Sequence, residues 1–130
     1  MADESVLIVD DNATNLKLAK VLLSSEGYRV RTAVDAEQAL EILAEFQPQL
    51  ILMDIQLPGM NGLELTRRLK SDAKTRDIVI VALTAYAMKG DNEKAIACGC
   101  SGYITKPIDT RRFGADVAHY LQLPQTAAKA

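Results

Sequence analysis

Five residues stand where short apolar runs end. Val6-Leu7-Ile8-Val9 runs into Asp10-Asp11, Leu50-Ile51-Leu52-Met53 into Asp54, and Ile78 to Leu83 into Thr84. A fourth run, Ser101 to Ile104, is followed by Lys106. If these runs are parallel strands of one sheet, their carboxyl ends form a common rim, and ligands of such sheets bind beyond that rim. Three carboxylates, a hydroxyl and an ammonium would then converge. Clustered carboxylates repel one another unless a cation sits among them. Oxygen ligands with room for several waters suit Mg²⁺, with Mn²⁺ as a substitute. Beside such a cation, Asp54 could attack a phosphorus atom as a carboxylate nucleophile. Lys106 would balance phosphoryl charge, and Thr84 would donate a hydrogen bond to a phosphoryl oxygen.

Taken singly, each residue has a plainer role. An Asp after a buried strand is more often a helix cap than a ligand, and for Asp11 or Asn12 alone the cap is the default. Thr84 alone reads as a turn residue, and Lys106 as a solvated charge. The conjunction at four strand ends favours chemistry.

The intervening segments must position these groups. From Thr14 to Glu26, Leu16, Ala19, Leu22 and Leu23 recur at helical spacing, and Gly27 supplies a stop. Tyr28 to Thr32 alternates partly and reads as a strand near an edge. Asp35 with Gln38 resembles a capping box, opening a helix whose stripe is Ala36, Ala39, Leu40, Leu43 and Phe46. Pro48 closes it. After the turn formers Pro58-Gly59-Met60-Asn61-Gly62, Asn61 can cap a helix running through Leu65 and Leu69 towards Asp72. Between Ala85 and Cys98 the apolar stripe is thin, and Gly90 costs about 1 kcal/mol relative to Ala. This fourth helix is the softest expected element. Asp109 is expected to cap the last helix, with Phe113, Val117, Tyr120 and Leu121 facing the core.

Five strands alternating with five helices predict a doubly wound α/β domain with a parallel sheet. One domain over 1–123 and a short fraying tail over 124–130 are expected; 130 residues suffice for a core without staples. The composition is 48% apolar and 25% charged, with a net charge of −2, so there is no basic excess for nucleic acid. No apolar run is long enough for a membrane span and the amino terminus lacks a signal pattern, so a cytoplasmic location is expected. Cys98 and Cys100 are too few for a zinc site and read as packing residues.

Four pieces together carry a family resemblance: Leu7-Ile8-Val9-Asp10-Asp11-Asn12, the stretch from Leu52-Met53-Asp54-Ile55-Gln56 to Gly62, Leu83-Thr84-Ala85, and Tyr103-Ile104-Thr105-Lys106-Pro107. The chain resembles response-regulator receiver domains from about Val6 to Leu123. Asp54-Ile55-Gln56-Leu57-Pro58 and the segment from Thr84 to Asp91 look most like DivK-type single-domain receivers and the receivers of hybrid kinases. The resemblance implies a CheY-like sheet of order 2-1-3-4-5. It implies that Asp54 accepts a phosphoryl group from a histidine kinase or phosphotransfer protein. Asp11 would be the main metal carboxylate, Asp10 would assist, and Gln56 would offer its backbone carbonyl. Thr84 and Tyr103 would form a coupled switch, and the Lys106-Pro107 bond would be cis. Gln56 and Tyr86 occupy positions that tune acyl-phosphate lifetime in the family.

Phosphorylation adds about −1.5 to −2 charges. Thr84 would move to meet one oxygen, making room for Tyr103 to turn inward. The short chain leaves no room for an output domain, so a stand-alone switch is expected, read by an effector at the fourth helix, fifth strand and fifth helix. A kinase, phosphotransferase or phosphatase would meet the first helix, with Thr14, Leu16 and Lys17 as candidates. Two other classes compete. A Mg²⁺-dependent phosphohydrolase usually needs an acid two positions after its nucleophile, where this chain has Gln56, so catalysis beyond self-phosphorylation and slow self-dephosphorylation is not expected. A scaffold that is never phosphorylated would have no need of Asp54 or Lys106.

Overall fold

The computed structural model describes residues 4–54, 62–84, 96–105 and 108–122. Its elements are β1 (Ser5–Val9), α1 (Ala13–Ser24), β2 (Arg29–Ala33), α2 (Ala36–Leu43), β3 (Leu50–Asp54), α3 (Gly62–Ser71), β4 (Val79–Thr84), β5 (Gly102–Thr105) and a C-terminal helix (Phe113–Leu121). Residues 96–98 are helical too and end what the sequence reads as the fourth helix. Residues 85–95 of that segment, with Gly90, lie outside the described residues.

The strands form one sheet in the order β2-β1-β3-β4-β5, every pairing parallel. β1 and β3 are buried on both faces, hence their unbroken apolar runs. β2 is an edge strand, as its partial alternation predicts, and exposes Arg29 and Arg31. Those charges discourage pairing with a foreign strand.

Strand periodicity sorts the core into two clusters. Leu7, Val9, Ile51, Met53, Ile80 and Ala82 pack against α2 and α3. Val6, Ile8, Leu50, Leu52, Val81 and Leu83 pack against α1 and the C-terminal helix, through Leu16, Ala19, Leu23, Phe113 and Val117. Each fully buried Leu or Ile contributes about 1.5–3 kcal/mol. The sheet is therefore anchored from both sides, and its carboxyl rim inherits that rigidity.

Helix ends follow local chemistry, with two departures. Asn12 caps α1, its side chain accepting from the Asn15 N–H at 3.0 Å. Gly27, at φ 94°, turns the chain out of α1 towards β2, as a left-handed stop requires. Asp35 caps α2, accepting from Gln38 N–H at 2.8 Å, while the Gln38 side chain accepts from Val34 N–H rather than from the cap itself. The α2 stripe is centred on Ala36, Ala39, Ile42 and Leu43, with Leu40 and Phe46 only partly buried. Asp109 does not cap the last helix: it accepts from Arg111 N–H at 3.0 Å and closes a preceding turn. The helix begins only at Phe113, behind Arg112, which provides no side-chain cap. The Asn61 cap lies outside the described residues.

Candidate functional site

Strand register sets the rim. Val9 pairs with Met53, so Asp10 follows at the level of Asp54. Asp54 pairs with Leu83, and Thr84 ends β4 one residue farther along. Thr84 in turn pairs with Thr105, the last residue of β5. The ends of β1, β3, β4 and β5 thus lie along one edge, and the winding reverses at β1 and β3.

The acidic residues meet there. Asp10, Asp11 and Asp54 offer carboxylate oxygens that all lie within 4.8 Å of one another. Asp10 is 0% exposed and Asp54 4% exposed, whereas Asp11 faces solvent. A turn produces this split. Asp10 Oδ1 accepts from the Asn12 N–H at 2.9 Å, and Asn12 is then placed to cap α1. Asn12 thereby takes the capping role, leaving Asp11 available at the mouth of the cluster. The ambiguity between Asp11 and Asn12 as cap is resolved in favour of Asn12.

Ionised carboxylates this close repel one another. A divalent cation would reverse the sign of that interaction. The donors are all hard oxygens, two of them buried at strand ends and one facing water, the donor set that a hard divalent cation takes. Asp10, Asp11 and Asp54 therefore fit Mg²⁺.

Beyond the carboxylates, Tyr103 is 40% exposed on β5, its ring outside the core. Gln56, Tyr86, Lys106 and Pro107 lie outside the described residues, as does the side chain of Thr84. Of the three α1 candidates for a partner surface, Thr14 and Lys17 are exposed but Leu16 is buried in the core. Leu16 is therefore a packing residue and not a docking contact; its helical spacing with Ala19 and Leu23 already indicates this. The cysteines are both buried and free. Burial pushes the Cys100 thiol up to about 11, so it stays protonated at neutral pH, in keeping with a packing role.

Residues 6–118 match the family model of the response regulator receiver domain. The polar-differentiation response regulator DivK of Brucella anthropi is 46% identical over 118 residues, covering 91% of this chain and 96% of that protein. The signal receiver domain of a signal transduction histidine kinase from Syntrophus aciditrophicus superposes with a TM-score of 0.82 at 30% identity, covering 91% of this chain and 89% of that one. A CheY-like response regulator receiver domain protein from Methanospirillum hungatei gives a TM-score of 0.85 at 27% identity, covering 99% of this chain and 100% of that one. No helix among the described residues is long and apolar enough to cross a membrane. The sheet order 2-1-3-4-5, the matched residues and the DivK relative agree, and the chain belongs to the response regulator receiver domain family.

Proposed function

We propose that this chain is a phosphorylation switch in which Asp54 accepts a phosphoryl group. The observation that carries the reading is the convergence of Asp10 and Asp11 on Asp54 at the carboxyl rim. An Asp54 carboxylate oxygen bonds to phosphorus as the bond from phosphorus to the donor breaks, and the donor leaves with that electron pair. Histidine kinases or phosphotransfer proteins supply the phosphoryl group in the cell, and a phosphatase or slow self-hydrolysis removes it. Bound Mg²⁺ would neutralise charge on the phosphoryl oxygens as they approach three carboxylates. Asp10, Asp11, Asp54 and the Gln56 backbone carbonyl are assigned to hold it.

Lys106 pairs with the phosphoryl charge, aimed by a cis bond to Pro107, and Thr84 donates to one of its oxygens. Tyr103, exposed in this state, turns inward as Thr84 moves, altering the surface that an effector protein reads around β5 and the C-terminal helix. Thr14 and Lys17 face the phosphodonor. Gln56 and the bulk of Tyr86 set how easily water attacks the acyl phosphate. Tyr86→Ala is expected to shorten the phosphate lifetime, and an unchanged decay would remove Tyr86 from that role.

Intact mass after incubation with Mg²⁺ and acetyl phosphate tests the reading. The wild type gains one phosphoryl group only with Mg²⁺, and Asp54→Asn gains none. A gain that persists in Asp54→Asn would place the chemistry elsewhere.

A further inference from the structure

Tyr120 makes an unusual approach to β5. It sits on the C-terminal helix, yet its ring lies directly against the backbone at Gly102, the first residue of β5. A Cβ built on Gly102 would stand 2.4 Å from the Tyr120 hydroxyl oxygen and 2.5 Å from Cε1. Real Cβ atoms do not approach so closely, so only glycine at 102 admits the phenol in this position. The Tyr120 hydroxyl donates to the backbone carbonyl of Tyr103 at 3.4 Å. That is long for O–H···O, so the ring seated on Gly102 contributes more than the hydrogen bond. Two adjacent residues of β5 thus touch one side chain of the C-terminal helix.

We propose that Tyr120 is a positioning residue that couples β5 to the C-terminal helix, so that movement at Tyr103 is passed to that helix through the phenol lying on Gly102. The proposal rests on the reading of Tyr103 as a switch residue. Among the described residues β5 is an edge strand, with no further strand beyond it. Phe113 and Val117 hold the buried face of the helix to the sheet and are fully buried, so they resist small displacements. Tyr120 is only partly buried and lies one turn beyond Val117. A displacement of the strand at residues 102–103 therefore meets the ring before it meets the anchor. The partner that reads the helix would sense Asp54 without touching Tyr103.

Amide resonances of the ¹⁵N-labelled protein, recorded with Mg²⁺ before and after addition of beryllofluoride as a phosphoryl stand-in, test the coupling. Acetyl-phosphate labelling by intact mass reports separately whether Asp54 and the fold are intact. In the wild type, resonances of Tyr103 and of residues 113–121 shift together. In Tyr120→Leu, Asp54 is labelled and Tyr103 still shifts, but the helix response is lost. Tyr120→Phe, which keeps the ring, retains most of it. Gly102→Ala, which displaces the ring from the strand side, loses it as Tyr120→Leu does and stands in should that variant fail to fold. A full helix response in Tyr120→Leu or in Gly102→Ala overturns the coupling while leaving the switch reading intact. A wild type that is labelled at Asp54 yet shows no shift at Tyr103 overturns both.

Discussion

At the β1–β3 rim, Asp10 and Asp54 are buried on strands clamped between two apolar clusters; on the β5 flank, Tyr103 stands 40% exposed on an edge strand. The first region holds its charged groups by packing on every side. The second pairs with β4 on one side and is otherwise touched by the Tyr120 ring on Gly102 and one long hydrogen bond. A site that must present fixed carboxylates to a phosphoryl group gains from rigidity, because misplaced ligands lose their advantage in the reaction. A surface that reports the event, as proposed for the β5 flank, gains from having two accessible arrangements close in free energy. The division of labour follows from where each strand sits in the sheet.

The largest effect expected to sharpen this contrast is on the rim. Asp11→Asn removes the exposed carboxylate of the cluster while leaving the Asn12 cap and the core untouched. It should weaken Mg²⁺ affinity at least about tenfold, since even outer partners of metal ligands cost that much. Titration with Mg²⁺ reads this, and unchanged affinity would break the assignment of Asp11.

Stability should divide the regions in the same way. Leu52→Ala, in the middle of β3 and 0% exposed, should cost about 2–5 kcal/mol in chemical denaturation. Tyr103→Ala should cost about 1 kcal/mol or less, as exposed positions do, while the response of the output surface to phosphorylation disappears. Equal costs at the two positions would contradict the contrast between clamped rim and pliant flank.

A smaller effect concerns Cys100, just ahead of β5. Burial raises its pKa from 9.0 to about 11 in the folded chain. The folded state therefore keeps the thiol protonated where the unfolded chain ionises. The stability this contributes is complete below pH 9 and is lost as pH rises towards 11, by about 2 kcal/mol. Denaturant midpoints at pH 8 and pH 11 should fall farther in the wild type than in Cys100→Ala. Parallel falls would show that the thiol carries none of the alkaline loss.

Much of this was legible from residue order, for physical reasons that differ by element. β1 and β3 are read from unbroken apolar runs because strands buried on both faces admit nothing else. Asp10, Asp11 and Asp54 are legible as a cluster because strand ends in a parallel sheet share a rim. Helix starts were harder. Asp109 carries the right side chain for a cap, but its carboxylate serves a turn and the helix opens behind Arg112. Asn12 and Asp11 are both capable caps, and only the Asp10–Asn12 turn separates them. Leu16, a candidate partner contact in the sequence, has the spacing of a core residue and is one. The contact of Tyr120 with Gly102 leaves no trace in local pattern, since it depends on how a helix settles across an edge strand eighteen residues away.

On the proposed reading Asp54, and neither of its acidic neighbours, becomes the acyl phosphate. Borohydride reduction of the Mg²⁺- and acetyl-phosphate-treated protein converts an acyl phosphate to an alcohol, and peptide mass spectrometry locates it. The mark is expected at Asp54 alone and absent without Mg²⁺. A mark at Asp10 or Asp11, or equal marking without Mg²⁺, would contradict it.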